Sequence, residues 1–221
     1  MKKLTLLFVA LVTAVSAQVT STFTAGYRSK DITFGRVSSD VAAYVGTAEV
    51  AVGSFRLGAN VQNNLKLNDS SLYQIDLIGG YKFFSTLANV EFGTKYVTKG
   101  HPVNYDMKNH FRPFVEVGKD IFSIRAMMDL EAQTSNIEGA LKHSVDLGLF
   151  GLKFIPSINV GYTDVNDALP HSKKEIKYTN MYYGGSADLT WKFISGGLYT
   201  VCPSTTKKYA TGYRGGVALK F

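Results

Sequence analysis

The last thirteen residues, 209–221 (YATGYRGGVALKF), alternate in character all the way to the end of the chain. Phe221, Leu219, Val217, Gly215, Tyr213, Thr211 and Tyr209 fall on one face, and Lys220 and Arg214 stand on the other. A period of two is a strand, because successive side chains leave a pleated backbone on opposite sides. A strand that is greasy outside, charged inside and ends on an aromatic ring suits a barrel wall between lipid and a polar lumen.

The opposite end of the chain fits the same picture. Met1, Lys2 and Lys3 give a short basic start, residues 4–15 are apolar, and Val15, Ser16 and Ala17 are small residues before an expected cut at Gln18. That order reads as a secretory signal peptide over residues 1–17. The apolar run is well short of the roughly 20 residues a spanning helix needs. No other segment is apolar enough to span as a helix, so a membrane-embedded mature chain has to be a closed barrel, the other way to satisfy every backbone group in lipid. The expectation is one all-β domain over residues 18–221: a closed antiparallel up-and-down transmembrane barrel of about twelve strands, with ten as the alternative, exported to a bacterial-type outer membrane.

Composition agrees. Aromatics make up 13% of the chain, and 21 glycines stand against 5 prolines, which suits strands joined by tight turns. Removing Lys2 and Lys3 lowers the formal charge from +7 to +5, and no basic stripe interleaves with stacking aromatics, so nucleic acid is not an expected partner. Cys202 stands alone and has no partner for an internal disulfide.

Alternation recurs throughout. Phe55, Leu57, Ala59 and Val61 oppose Arg56, Asn60 and Gln62; Phe122, Ile124, Ala126 and Met128 oppose Ser123, Arg125 and Asp129. The expected strands are 20–37, 42–52, 55–65, 71–83, 87–98, 110–119, 121–133, 139–150, 155–164, 178–193, 197–202 and 208–221. Tight turns are expected near Gly53, Ser85, Asp120, residues 151–154 and Ser195, on the periplasmic side. Longer connections (63–70, 99–109, 132–139, 164–177, 203–207) would face outward. Along the greasy faces, Phe23, Phe55, Phe83, Phe122, Trp191, Phe193 and Phe221 gather at one end, and Tyr44, Tyr73, Tyr96, Phe111, Tyr162, Tyr183 and Tyr209 at the other. Two aromatic girdles are what amphipathic rings at two headgroup boundaries produce. A soluble sandwich also alternates, but its aromatics should gather in the core.

The inward face carries the candidate lumen lining: Arg28, Glu49, Arg56, Asp76, Lys82, Glu91, Lys95, Arg112, Glu116, Arg125, Asp129, Glu131, Lys142, Asp146, Asp188, Lys192 and Arg214. Both signs recur on neighbouring strands. Such a lining serves either a polar conduit or a lumen filled by cross-strand ion pairs. No ladder of one sign appears, so strong ion selectivity is not expected. Catalysis is not expected either. Adjacent strand residues His143 and Ser144 point to opposite faces, and the loop histidines His101, His110 and His171 sit among lysines and asparagines. No metal or cofactor is expected. Lys173, Lys174 and Lys177, with Lys99, Lys108, Lys207 and Lys208, form a basic outer rim suited to lipid and lipopolysaccharide phosphates.

In length, strand count and final strand the chain resembles the small twelve-stranded outer-membrane channels, such as those for acidic oligosaccharides. The resemblance implies a porin-like channel for passive diffusion, with a plugged structural or surface-recognition barrel as the alternative. Those channels carry tracks of lumenal arginine, whereas this lining is mixed in sign. The final strand also resembles the signal read by the outer-membrane assembly machinery, with Tyr213, Leu219 and Phe221 in its aromatic and apolar positions. Residues 26–35 (GYRSKDITFG) resemble the opening strand of an uncharacterised family of proteobacterial outer-membrane proteins, except that Arg36 follows the Gly it would usually precede. A bulge near Ser29 is expected there.

Overall fold

The computed structural model describes residues 19–33, 36–39, 42–64, 73–101, 106–148, 150–167, 176–204 and 207–221. The expected signal peptide lies outside them. The strands are β1 (Val19–Arg28), β2 (Asp31–Thr33), β3 (Arg36–Ser39), β4 (Ala43–Val52), β5 (Phe55–Asn64), β6 (Tyr73–Phe83), β7 (Asn89–His101), β8 (Asp106–Lys119), β9 (Phe122–Asp129), β10 (Thr134–Lys142), β11 (Val145–Asp146), β12 (Leu152–Asp167), β13 (Ile176–Trp191), β14 (Ile194–Pro203) and β15 (Ala210–Lys220). Twelve of them close into an antiparallel barrel. Each is paired with its barrel neighbours in the chain, and β1 closes on β15. Strands β2 and β3 form a separate hairpin between β1 and β4, and the two-residue β11 adds only to the start of β12.

Closure uses the ends of the chain. Ser21 and Phe221 exchange both backbone hydrogen bonds, at 3.0 and 2.8 Å. Full pairing leaves no open edge among the barrel strands, which is what lipid demands of a sheet. The outward residues are the expected ones: Phe23, Phe55, Phe83, Phe122, Trp191, Phe193 and Phe221 are exposed at the end bearing the termini, and Tyr44, Tyr96, Phe111, Tyr162, Tyr183 and Tyr209 at the far end. Tyr73 falls on β6, but its side chain lies outside the described ones. The rings touch edge-on along both belts, as in Phe23–Phe221 at 6.3 Å and Tyr183–Tyr209 at 6.0 Å.

Several boundaries differ from the sequence reading, and backbone geometry says why. The segment 20–37 is not one strand. The barrel strand stops at Arg28, and the hairpin β2–β3 fills what had read as a short connection, with its irregularity between Asp31 and Ile32 rather than at Ser29. Strand β9 ends at Asp129, and Gln133, in the left-handed region at φ 48°, closes a tight turn where a long loop was expected. Strand β10 therefore starts at Thr134, and the excursion falls on the other side, at residues 143–151, where Gly148, Phe150 and Gly151 have positive φ. Between β13 and β14 the chain reverses at Lys192 (φ 53°), not at Ser195. The expected short strand 197–202 is a full ten-residue β14.

Candidate functional site

The inward residues of the barrel form the candidate site. In register around the terminal half of the wall run Lys82, Glu91, Glu116, Arg125 and Glu138, on β6 to β10. Two inward rungs further from the termini, beyond Gly93 and Phe114, Lys95 stands opposite Arg112. At the closing seam Arg28 stands opposite Arg214. Glu91–Glu116, Lys95–Arg112 and Arg28–Arg214 are thus like-charged pairs directly across from each other, an arrangement that destabilises a sheet unless something offsets it.

In each pair the two side chains turn apart to separate partners. Glu91 takes Arg56 at 2.7 Å, and Glu116 accepts Arg125 Nε at 2.7 Å. Lys95 reaches Asp76 at 2.7 Å, and Arg112 Nε donates to Asp129 at 2.7 Å. Arg28 donates to the amide oxygen of Gln62, while Arg214 clasps both oxygens of Asp188 at 2.9 and 2.5 Å and donates to Ser186 at 3.1 Å. The two most deeply buried carboxylates, Asp76 and Asp129, are further held by side-chain and backbone donors. Asp76, fully buried, also accepts Asn60 Nδ2 at 3.0 Å and Gln74 Nε2 at 2.8 Å. Asp129, 1% exposed, accepts the Ala132 amide at 3.0 Å and lies 3.1 Å from His110 Nδ1. A buried charge is tolerable on these terms only, since removing one partner leaves the other desolvated.

The wall is thinned by glycines where large rings cross it. A Cβ built on Gly93 would sit 2.5 Å from the Phe114 ring, and on Gly161 and Gly212 it would fall inside the contact distance of the Tyr182 and Tyr199 rings. Each ring lies on the strand opposite its glycine. These aromatics lie flat on the wall because glycine leaves room for them. Tyr182 is also fixed at its tip: its hydroxyl donates to Glu138 at 2.7 Å and accepts from Asn136 at 3.1 Å. The seam itself is lined by small residues, Thr24, Gly26, Ser195, Gly216 and Ala218. With Arg28, Lys30, Asp188, Tyr199 and Arg214 they enclose a cavity of about 370 Å³.

The structure brings Arg28, Arg56, Asp76, Glu91, Lys95, Arg112, Glu116, Arg125, Asp129, Asp188 and Arg214 into this paired lining. Glu49 joins at 3.8 Å from Arg56, and Lys82 and Lys142 line its terminal mouth. Three expected members lie elsewhere. Glu131 is in the far-end turn, where it accepts the Phe111 amide at 2.5 Å, because β9 has already ended. Asp146 is exposed in the 143–151 excursion and accepts the Gly148 amide at 2.8 Å. Lys192 occupies the β13–β14 turn, its ammonium 5.1 Å from the Trp191 ring. Asn60, Gln74, Asn136, Tyr182 and Tyr199 were not named as lining because only charges were sought on the inner face, although the same alternation places them there; His110, read as a loop residue, lies on β8.

Among the described residues, His110, Asp129 and Glu131 place ligand atoms within 4.8 Å of one another. The Arg112 guanidinium on the same Asp129 carboxylate opposes a cation there. The loop lysines Lys173 and Lys174, with His171, lie outside the described residues.

A closed twelve-stranded antiparallel barrel with an apolar outer belt, two aromatic girdles and a charged interior is a barrel of the outer-membrane type, built like the small outer-membrane channels. Two solved structures match over nearly their whole length. One, described as the KdgM porin, gives a TM-score of 0.61 at 12% identity and covers 90% of this chain and 99% of its own. The other, described as the KdgM porin in complex with disordered oligogalacturonate, gives 0.56 at 13% identity and covers 91% of this chain and 99% of its own. No protein-family model matches the chain, and no curated protein matches it in sequence.

Proposed function

We propose that the protein is a channel of the bacterial outer membrane through which small hydrophilic solutes or ions diffuse passively, exported by a signal peptide over residues 1–17 and without enzymatic activity. The observation that carries this reading is the arrangement of the lining. Cations and carboxylates neutralise each other against the wall, and Phe114, Tyr182 and Tyr199 lie flat over glycines rather than crossing the interior. Large inward side chains are thus kept at the periphery, and the β14–β15–β1 wall carries mainly small ones. A twelve-stranded barrel falls between those that side chains fill and those with a wide aqueous channel, so patency turns on where the inward side chains lie, and this arrangement supports an open lumen. The end bearing the termini faces the periplasm, as short turns and termini do in such barrels.

The near balance of signs argues for weak selectivity between anions and cations. Purified protein in a planar lipid bilayer should give discrete current steps with a reversal potential near zero in a salt gradient. A bilayer that stays silent while the protein is demonstrably folded sinks the channel reading. A structural barrel would then be favoured by the buried network that joins Asn136 to Thr163 and Tyr182, and Tyr182 to Glu138.

A further inference from the structure

The first far-end connection does not simply pass over the rim. Strand β1 ends at Arg28, and the next two residues are bonded to β14 and β15. The Ser29 amide donates to the Tyr213 carbonyl at 2.9 Å, and the Ser29 hydroxyl accepts the Tyr213 amide at 2.9 Å. Lys30 is then held by the inward Tyr199. The phenol accepts the Lys30 amide at 3.1 Å and donates to the Lys30 carbonyl at 2.6 Å. Tyr199 follows the outward Leu198 on β14 and so faces inward, and a backbone held at its hydroxyl lies on the lumen side of the wall at this point. The hairpin β2–β3 departs from Lys30's neighbour Asp31.

Tyr199 is itself immobilised from three sides. Its ring lies over Gly212, with no Cβ to displace it. The Arg214 guanidinium sits 5.7 Å from the ring centroid, within cation–π range. Asp188 and Ser186 in turn fix Arg214. An exposed turn needs no such support, whereas a phenol that satisfies both backbone groups of one residue defines where that residue stays.

We propose that Tyr199 is a positioning residue that holds the Lys30 backbone against the inner wall, so that Lys30 narrows the far-end mouth and limits the size of what passes. This rests on the channel reading for its effect on flux, but the tie itself can be tested without conduction. Tyr199→Phe removes only the hydroxyl and keeps the ring over Gly212 and under Arg214. Amide exchange at Lys30 in folded protein should become about fivefold faster or more, the loss of one net hydrogen bond. Single-channel conductance should rise about 1.5-fold or more, as a wider constriction allows. Lys30→Gly, which keeps the tied backbone and removes the side chain, should raise conductance as well, and unchanged conductance in it overturns the role of Lys30 in the mouth. Unchanged exchange at Lys30 overturns the tie. Faster exchange with unchanged conductance overturns its role in setting the mouth. Faster exchange in a protein that never conducts supports the tie and removes the channel reading instead.

Discussion

Arg28 and Arg214 face each other across the seam yet reach in opposite directions, and the same parting separates Lys95 from Arg112 and Glu91 from Glu116. The pairing partner in register is therefore not the energetic partner at these three places. The glycines tell a related story at the scale of one atom. Gly161→Ala puts a methyl into the Tyr182 ring, which is 2% exposed and anchored to Glu138 and Asn136, so the ring cannot move aside cheaply. Overpacking of this kind costs about 1–3 kcal/mol. Gly139→Ala is the control, because on the lipid side nothing lies nearer than Val160 Cγ1 at 4.0 Å, and its effect should stay within about 0.5 kcal/mol. Urea unfolding followed by the heat-dependent gel shift of the barrel measures both, and equal midpoints for the two variants refute the account. Charge and alternation placed eleven of the seventeen expected lining residues in the paired network, from Arg28 to Arg214. Which residues satisfy them was not legible, since Asn60 or Asn136 in a strand looks the same whether it meets water or a buried carboxylate.

At the scale of the element, period two located the strands well, and it failed at two turns made without glycine or an Asp-type turn residue. Gln133 and Lys192 both take positive φ, which a non-glycine residue rarely does, so neither advertised its turn. As a result Glu131 and Lys192 were read as lining when they are turn residues. Gly53, with φ 57°, sits at a turn that was legible for the opposite reason. The greasy faces were legible throughout because lipid selects one side of a strand without compromise. Trp191 tests this belt directly. It is the one tryptophan in the chain and is 43% exposed, and its indole N–H donates to the Phe150 carbonyl at 3.1 Å near the termini. In vesicles of brominated lipid its fluorescence should be quenched most by bromine placed high on the acyl chain, near the headgroup. Strongest quenching by bromine at the bilayer centre would remove Trp191 from an interfacial girdle.

The whole molecule is a closed ring of strands in which the join between β15 and β1 is bonded like any other. Phe221 and Ser21 clasp each other's backbone at 2.8 and 3.0 Å, so the first barrel strand starts and the last one ends on the same rim. A ring has no first member. The order in which the ribosome makes the strands is one cut among several that the finished wall would accept. A circular permutant makes this concrete: Phe221 joined to Val19 through a short linker, with new ends opened between Gly53 and Ser54 on the same rim. Refolded from urea into detergent it should give the native heat-dependent gel shift, with stability lowered only by the lost turn. Produced in cells, it should reach the membrane poorly, because its last residue is no longer an aromatic at the end of an alternating strand. Equal yields from both routes would show that the final phenylalanine matters to the wall alone. A permutant that cannot refold in detergent would show that the seam is a special joint after all. With both outcomes as expected, the position of the cut is information carried for the delivery of the chain, written on top of a wall that does not need it to stand.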